Sequence, residues 1–237
     1  MTEEKKYADQ WNESAKYFYQ NDSYSWMSSH IEEYHNVLEV GCGTGYSTLN
    51  LAENGHIIQA IDKNQFCLER AKTLIKNNNL ENCVHFISGD VADDSFRVQV
   101  AKNYDFDLVV CWNVGTYWDN EMFQFYLPHM RKYGLTDDQI RQNLESSYAE
   151  LMLWDACDIA SKKKVPIQII ERIGQGLNQN LKDYYGPLAY EFGYRTIKYD
   201  IEEGSSISKG GRVLTISGLP NMSENVKLNF LSIVFEY

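Results

Sequence analysis

Glu39, Gly41, Gly43, Gly45, Asp62 and Asp90 are the residues of this 237-residue chain whose types and spacing point to a bound ligand. The three glycines lie in NVLEVGCGTGYSTLNLA, Asn36 to Ala52, directly after a run of β-type apolar residues. Glycines between a strand and a helix leave backbone N–H groups bare at the helix's positive end, where a polar ligand is held. A tight turn that needs glycine only for its own backbone angles shows the same letters, so the loop alone leaves both readings open. The carboxylates narrow the choice. Asp62, followed by Lys63, comes about 20 residues after the first glycine, where a strand-end acid accepts hydrogen bonds from ribose hydroxyls. Asp90, followed by Val91, closes the next strand within reach of an adenine amino group. The spacing GxGxG departs from the GxGxxG of pyrophosphate-binding loops, and Glu39 inside an otherwise apolar strand opposes phosphate. Together these residues describe a site for a cationic, phosphate-free adenosine compound.

Such a site requires parallel strands ending along one edge, and the chain has that rhythm. Strands are expected at Val37–Val40, His56–Asp62, CVHFISGD (Cys83 to Asp90) and FDLVVCW (Phe106 to Trp112). Helices are expected from Tyr46 to Asn54 and over QFCLERAKTLIKNNN, where Phe66, Ala71, Leu74 and Ile75 form a stripe of helical period. The strands are nearly continuous in apolar residues, as when helices cover both faces of a sheet. After Trp112 the rhythm stops for an aromatic-rich insertion, Asn113 to Leu135. One long helix is expected from Thr136, where TDDQ forms a capping box, with the stripe Ile140, Leu144, Tyr148, Leu151 and Ile159. Then come a strand VPIQIIE, a helix from Leu177 to Phe192 with Gly186-Pro187 as the place for a break, and a strand RTIKYDI. GRVLTISG and KLNFLSIVFEY read as antiparallel edge strands. A single domain over residues 1–237 is expected: a helical cap to residue 35, a ligand-binding core over 36–112, the cap insertion 113–135, then the rest of the sheet.

Composition excludes several classes. A hydrophobic fraction of 43% with 23% charged residues is that of a globular chain. The net charge of −11 repels phosphate backbones, and the basic triplet Lys162-Lys163-Lys164 follows a helix whose negative end it suits, so nucleic acid is a disfavoured partner. Five scattered cysteines without a CxxC fit no closed disulfide framework, and the five histidines lack metal spacing. A reducing cytosol and no metal are therefore expected. No run is apolar and long enough to span a bilayer.

VLEVGCGTGYSTLNLA, the strand-ending Asp62, GDVAD and FDLVVCW resemble the successive motifs of class I S-adenosylmethionine-dependent methyltransferases, strongly over Asn36 to Trp112 and beyond that only by element order. The resemblance implies a doubly wound, mostly parallel, seven-stranded Rossmann-like sheet with an antiparallel C-terminal edge strand. It implies S-adenosylmethionine as cofactor, with Gly41, Gly43 and Gly45 beside its methionine part, Asp62 and Lys63 at the ribose, and Asp90 with Val91 at adenine. Glu39 matches the family's acidic position before the glycines, and Trp112-Asn113 the strand end that faces the methyl donor.

Methyl transfer is an in-line displacement at an activated carbon, so aligning the nucleophile supplies much of the acceleration and no catalytic residue is assigned. CWNVGTYW differs from the Asn/Asp-Pro-Pro-aromatic motif of enzymes that methylate base amines, and with the acidic charge this favours a small-molecule acceptor. By analogy with small-molecule members, Tyr17, Tyr19, Tyr117, Trp118 and Phe123 line the acceptor pocket, although Tyr7, Trp11 and Phe18 at helical spacing equally suit core packing. Glu171-Arg172 ends the fifth strand on the same edge, where Arg172 reads first as a surface ion pair. A cofactor-binding module without turnover, and a protein or RNA methyltransferase, stay open as alternatives.

Overall fold

The computed structural model describes residues 1–112, 122–174, 176–207, 215–216, 219–220 and 225–237. Seven strands form one sheet: β1 (Asn36–Val40), β2 (Ile57–Asp62), β3 (Val84–Ser88), β4 (Leu108–Trp112), β5 (Ile167–Ile173), β6 (Thr196–Ile207) and β7 (Asn225–Glu236). Their spatial order is β3-β2-β1-β4-β5-β7-β6. The first five pair in parallel, and β7 runs antiparallel between β5 and β6, with Ile169 opposite Ile233 and Tyr199 opposite the same residue. The order reverses at β1 and β4, so the crevice of a doubly wound sheet opens at the glycine loop that follows β1.

Side-chain alternation explains why helices cover both faces. Val37, Leu108, Val110 and Trp112 pack to one side with α1 (Glu3–Gln20), α2 (Ser23–Ser28), α3 (Tyr46–Glu53) and α4 (Gln65–Asn77). Leu38, Val40, Val109 and Cys111 pack to the other, against α5 (Asp94–Asn103), α6 (Met122–Lys132), α8 (Leu144–Lys163) and α9 (Gln179–Glu191). Both sets are buried, which is what a near-continuous apolar strand requires.

The structure revises several expectations. The expected long helix is two: α7 (Asp137–Gln142) carries the capping box at Thr136, and the chain breaks at Asn143, with φ −153° and ψ 87°, whose side chain recaps α8 through Ser146 N–H. α9 continues through Gly186-Pro187 without a break. β6 runs on to Ile207, well beyond RTIKYDI, because β7 offers it a ladder along its whole length. Of GRVLTISG, only Thr215–Ile216 is described, in a separate two-stranded ribbon with Leu219–Pro220. The lysine triplet closes α8, with Lys162 paired to Asp158 and Lys163 Nζ donating to the Tyr104 carbonyl at 2.9 Å. All five cysteines are free. Among the described residues no helix is long and apolar enough to cross a membrane.

Candidate functional site

The loop after β1 is built by positive φ at Gly41 (77°), Gly43 (53°) and Gly45 (89°), a region that side chains other than glycine enter at a cost. The Gly41 and Cys42 N–H groups both donate to the Ile61 carbonyl, at 2.8 and 2.9 Å, stapling the loop to the end of β2. Close approach by the chain itself adds a second constraint. A Cβ on Gly43 would stand 2.4 Å from Trp11 Nε1, and one on Gly45 would stand 2.7 Å from Ala71 Cβ on α4. The glycines therefore admit an indole from α1 and the backbone of α4, a requirement that exists before any ligand arrives.

Three carboxylates surround this loop. Asp62 accepts from Gly43 N–H and from Asn64 N–H, both at 2.8 Å, so it ties the loop to β2. Burial raises its pKa, and these backbone donors work against that rise. A carboxylate offers about four acceptor directions, so the backbone donors of Gly43, Asn64 and Lys63 leave room for a hydroxyl. Glu39, fully buried, points to the α3 side and accepts from Ser47 Oγ at 2.5 Å and Thr48 Oγ1 at 2.6 Å. Burial pushes its carboxyl up to about 7, against the pull of the two hydroxyls. Asp90 accepts from Ala92 N–H at 3.0 Å and, on its other oxygen, from the Tyr126 hydroxyl. Lys63 Nζ donates to that same hydroxyl at 3.0 Å and lies 4.5 Å from the centre of the Tyr148 ring. Val91 is buried in the core on this side.

Tyr126 and Tyr148 were not foreseen as site residues. Tyr148 belongs to the α8 stripe and is buried as that stripe demands, its phenol pushed upward by burial, and nothing in the local pattern announces that it faces Lys63. Trp112 turns away from the edge: its indole Nε1 donates to Gln168 Oε1 at 3.0 Å, and its ring stacks on Tyr24 of α2 with centroids 6.3 Å apart. Tyr17 and Tyr19 are tied to different elements. The Tyr17 hydroxyl meets Ser205 Oγ on β6 at 2.6 Å, whereas the Tyr19 hydroxyl donates to Glu53 on α3 at 2.8 Å, and burial raises its pKa to about 12. Asn113, Tyr117 and Trp118 lie outside the described residues, as does the side chain of Phe123. Arg172 is no simple surface ion pair, since it is half-buried with its guanidinium 5.9 Å from the centre of the Trp11 ring. Among the described residues no group of three or more His, Cys, Asp or Glu side chains is placed to hold a metal ion.

The comparisons agree with this geometry. A family described as a methyltransferase domain matches residues 37–133. A cypemycin N-terminal methyltransferase from a Streptomyces species is 34% identical over 73 residues, a match spanning 30% of this chain and only 28% of that relative's length. Among solved structures, a precorrin 8w decarboxylase from Methanobacterium thermoautotrophicum superposes with a TM-score of 0.52 at 15% identity, over 91% of this chain and 89% of that one. The YcgJ protein of Bacillus subtilis superposes with a TM-score of 0.56 at 10% identity, over 91% of this chain and 98% of the other. At such identities these structural likenesses speak for the fold alone. The sheet order, the glycine loop and the sequence match coincide within residues 37–133, the stretch that is similar to the methyltransferase domain family.

Proposed function

We propose that the chain transfers a methyl group from S-adenosylmethionine to a small-molecule acceptor. The observation that carries this reading is Asp62, which closes the glycine loop through Gly43 N–H and keeps acceptor capacity at the switch point of the sheet. When bound, the cofactor supplies a methyl carbon activated by the sulfonium charge. The Asp62 carboxylate takes the ribose hydroxyls, with Lys63 beside it, and the loop at Gly41, Gly43 and Gly45 passes the methionine part. Glu39 acts from behind, fixing the first turn of α3 through Ser47 and Thr48. Asp90 and Val91 border adenine, and there the amino group would share or compete with the Tyr126 hydroxyl for one Asp90 oxygen.

By the resemblance, the main-chain end of β4 at Trp112 is assigned to the donor side and Tyr17 to the acceptor side, while Asn113, Tyr117, Trp118 and the Phe123 side chain, assigned with them, lie outside the described residues. Tyr19, engaged by Glu53, serves to anchor α1. The charge of −11 favours a small acceptor over nucleic acid, and the name of the Streptomyces relative points to an amine as the accepting group. Free thiols suit a reducing cytosol.

Titration calorimetry with S-adenosylmethionine and S-adenosylhomocysteine tests the reading. Binding of both is expected, and absence of either signal at about millimolar concentration rejects it. Binding without methyl transfer across an acceptor panel would make the chain a cofactor-binding module.

A further inference from the structure

On the sheet face opposite α1, at the end of β5, lies a cavity of about 390 Å³. It is bordered by Glu150 and Leu153 of α8, Ile169 and Glu171 of β5, and Tyr184 and Tyr185 of α9. That volume is of the size that receives small ligands. β5 pairs with β4, which pairs with β1, so the cavity stands two strands from the glycine loop. Its lining is apolar at Leu153 and Ile169 and carries two carboxylates and two phenols. The Tyr184 hydroxyl donates to Glu150 Oε1 at 3.1 Å, and the Tyr185 hydroxyl bonds Glu171. Arg172 also borders the cavity, but residues of its parity on β5 face α1, and its guanidinium lies by the Trp11 ring.

We propose that this cavity holds the ammonium group of an amine ligand, with Glu150 and Glu171 as its counter-charges, and that this ligand is the methyl acceptor: a carboxylate takes one ammonium proton, the freed amine forms the N–C bond to the donor methyl, and the sulfonium S–C bond breaks to leave S-adenosylhomocysteine. The assignment rests on the methyltransferase reading and adds the acceptor's charge class to it. Two half-buried carboxylates bordering one cavity disfavour each other's charge unless a cation joins them. Both carboxyls respond in that direction: burial raises the pKa of each, and the charge of Glu150 raises that of Glu171 further. An entering cation reverses those shifts, so its binding releases protons to the buffer. The phenols hold the carboxylates in place through hydrogen bonds, and their rings give an alkylammonium an aromatic wall.

The test uses three probes of one shape and three charges: 2-phenylethylamine, 2-phenylethanol and 3-phenylpropionate. Calorimetry on the full chain is expected to show the cation binding at least about tenfold more tightly than the alcohol, the size of a charge-assisted hydrogen bond, with an observed heat that varies between buffers of different ionisation enthalpy as released protons are taken up. In the double variant Glu150→Gln, Glu171→Gln the preference is expected to vanish while affinity for S-adenosylhomocysteine stays unchanged. Equal binding of the three probes by the parent chain overturns the proposal, as does tighter binding of the anion or no cation binding at about 10 mM. A preference that survives in the double variant overturns it too. The parent chain decides the matter even if the double variant fails to fold. Loss of S-adenosylhomocysteine binding by the parent chain sinks the methyltransferase reading itself, whereas indifference to probe charge with that binding intact sinks only the ammonium site.

Discussion

Glu39 and Asp62 show how one functional group, the carboxylate, serves two ends on neighbouring strands. Both were legible from position alone, an acid inside an apolar strand and an acid closing the next one. What each carboxylate holds was not, because hydroxyls and N–H groups reach them only in the folded loop. For Glu39 the folded pKa, about 7, lies above its ordinary 4.5. Its contribution to stability is therefore complete below about 4.5 and is lost as pH rises through about 7, by at most about 3 kcal/mol. Urea unfolding between pH 5 and 8 should show the parent chain losing stability that Glu39→Gln does not lose; parallel profiles would mean that the carboxyl is ionised throughout. Asp62→Ala should weaken S-adenosylhomocysteine binding by about 1–3 kcal/mol, since hydroxyls lose a charged acceptor. Calorimetry reads this directly, and unchanged affinity removes Asp62 from the ribose.

Elements brought to the site by tertiary packing account for what the sequence concealed. The glycine motif was plain, yet its nearest neighbours, Trp11 on α1 and Ala71 on α4, are distant in sequence and carry no local mark. Similarly, Ile140 and Leu144 keep helical spacing across Asn143, so periodicity read one helix where the backbone makes two. If Trp11 is what Gly43 accommodates, Gly43→Ala and Trp11→Ala must couple. Gly43→Ala alone should destabilise by about 1–3 kcal/mol, from positive φ and from the indole, and the double mutant should recover about 1 kcal/mol of the summed loss. Additive unfolding energies would put the whole penalty in the backbone. α6 makes a different claim on the site, since the Tyr126 hydroxyl holds an oxygen of Asp90. Tyr126→Phe should tighten S-adenosylhomocysteine binding severalfold, up to about tenfold, by freeing that oxygen. Weaker binding would show instead that the phenol is part of the nucleoside pocket.

Across the whole molecule, Arg97 joins α5 to α8, neighbouring helices packed on one face of the sheet. It is buried, donates to the Val91 carbonyl at 2.5 Å, and pairs with Asp155 at 3.0 Å and Asp158 at 2.7 Å on α8. The loop that presents Asp90 is thereby fixed from beneath. Arg97→Met should destabilise the fold by about 3–5 kcal/mol in urea, because Asp155 keeps a buried charge without its cation. A loss under about 1 kcal/mol would mean that Asp155 is neutral in the variant. The parallel half of the sheet was readable because its strands are apolar on both faces, as two-sided burial demands. The β6 extension was not, since Glu202, Glu203, Gly204, Ser205 and Ser206 show no apolar alternation and take their strand form from β7.

The placing of β7 also bears on synthesis. The strand β6 has one ladder neighbour, and it is translated later than β6 itself. On a ribosome adding about 5–20 residues per second, β6 and the far edge of β5 wait with open backbone groups until Asn225 and its successors emerge. Nascent chains paused before that point would be the aggregation-prone species, and the charges along β6 keep such chains from zipping together.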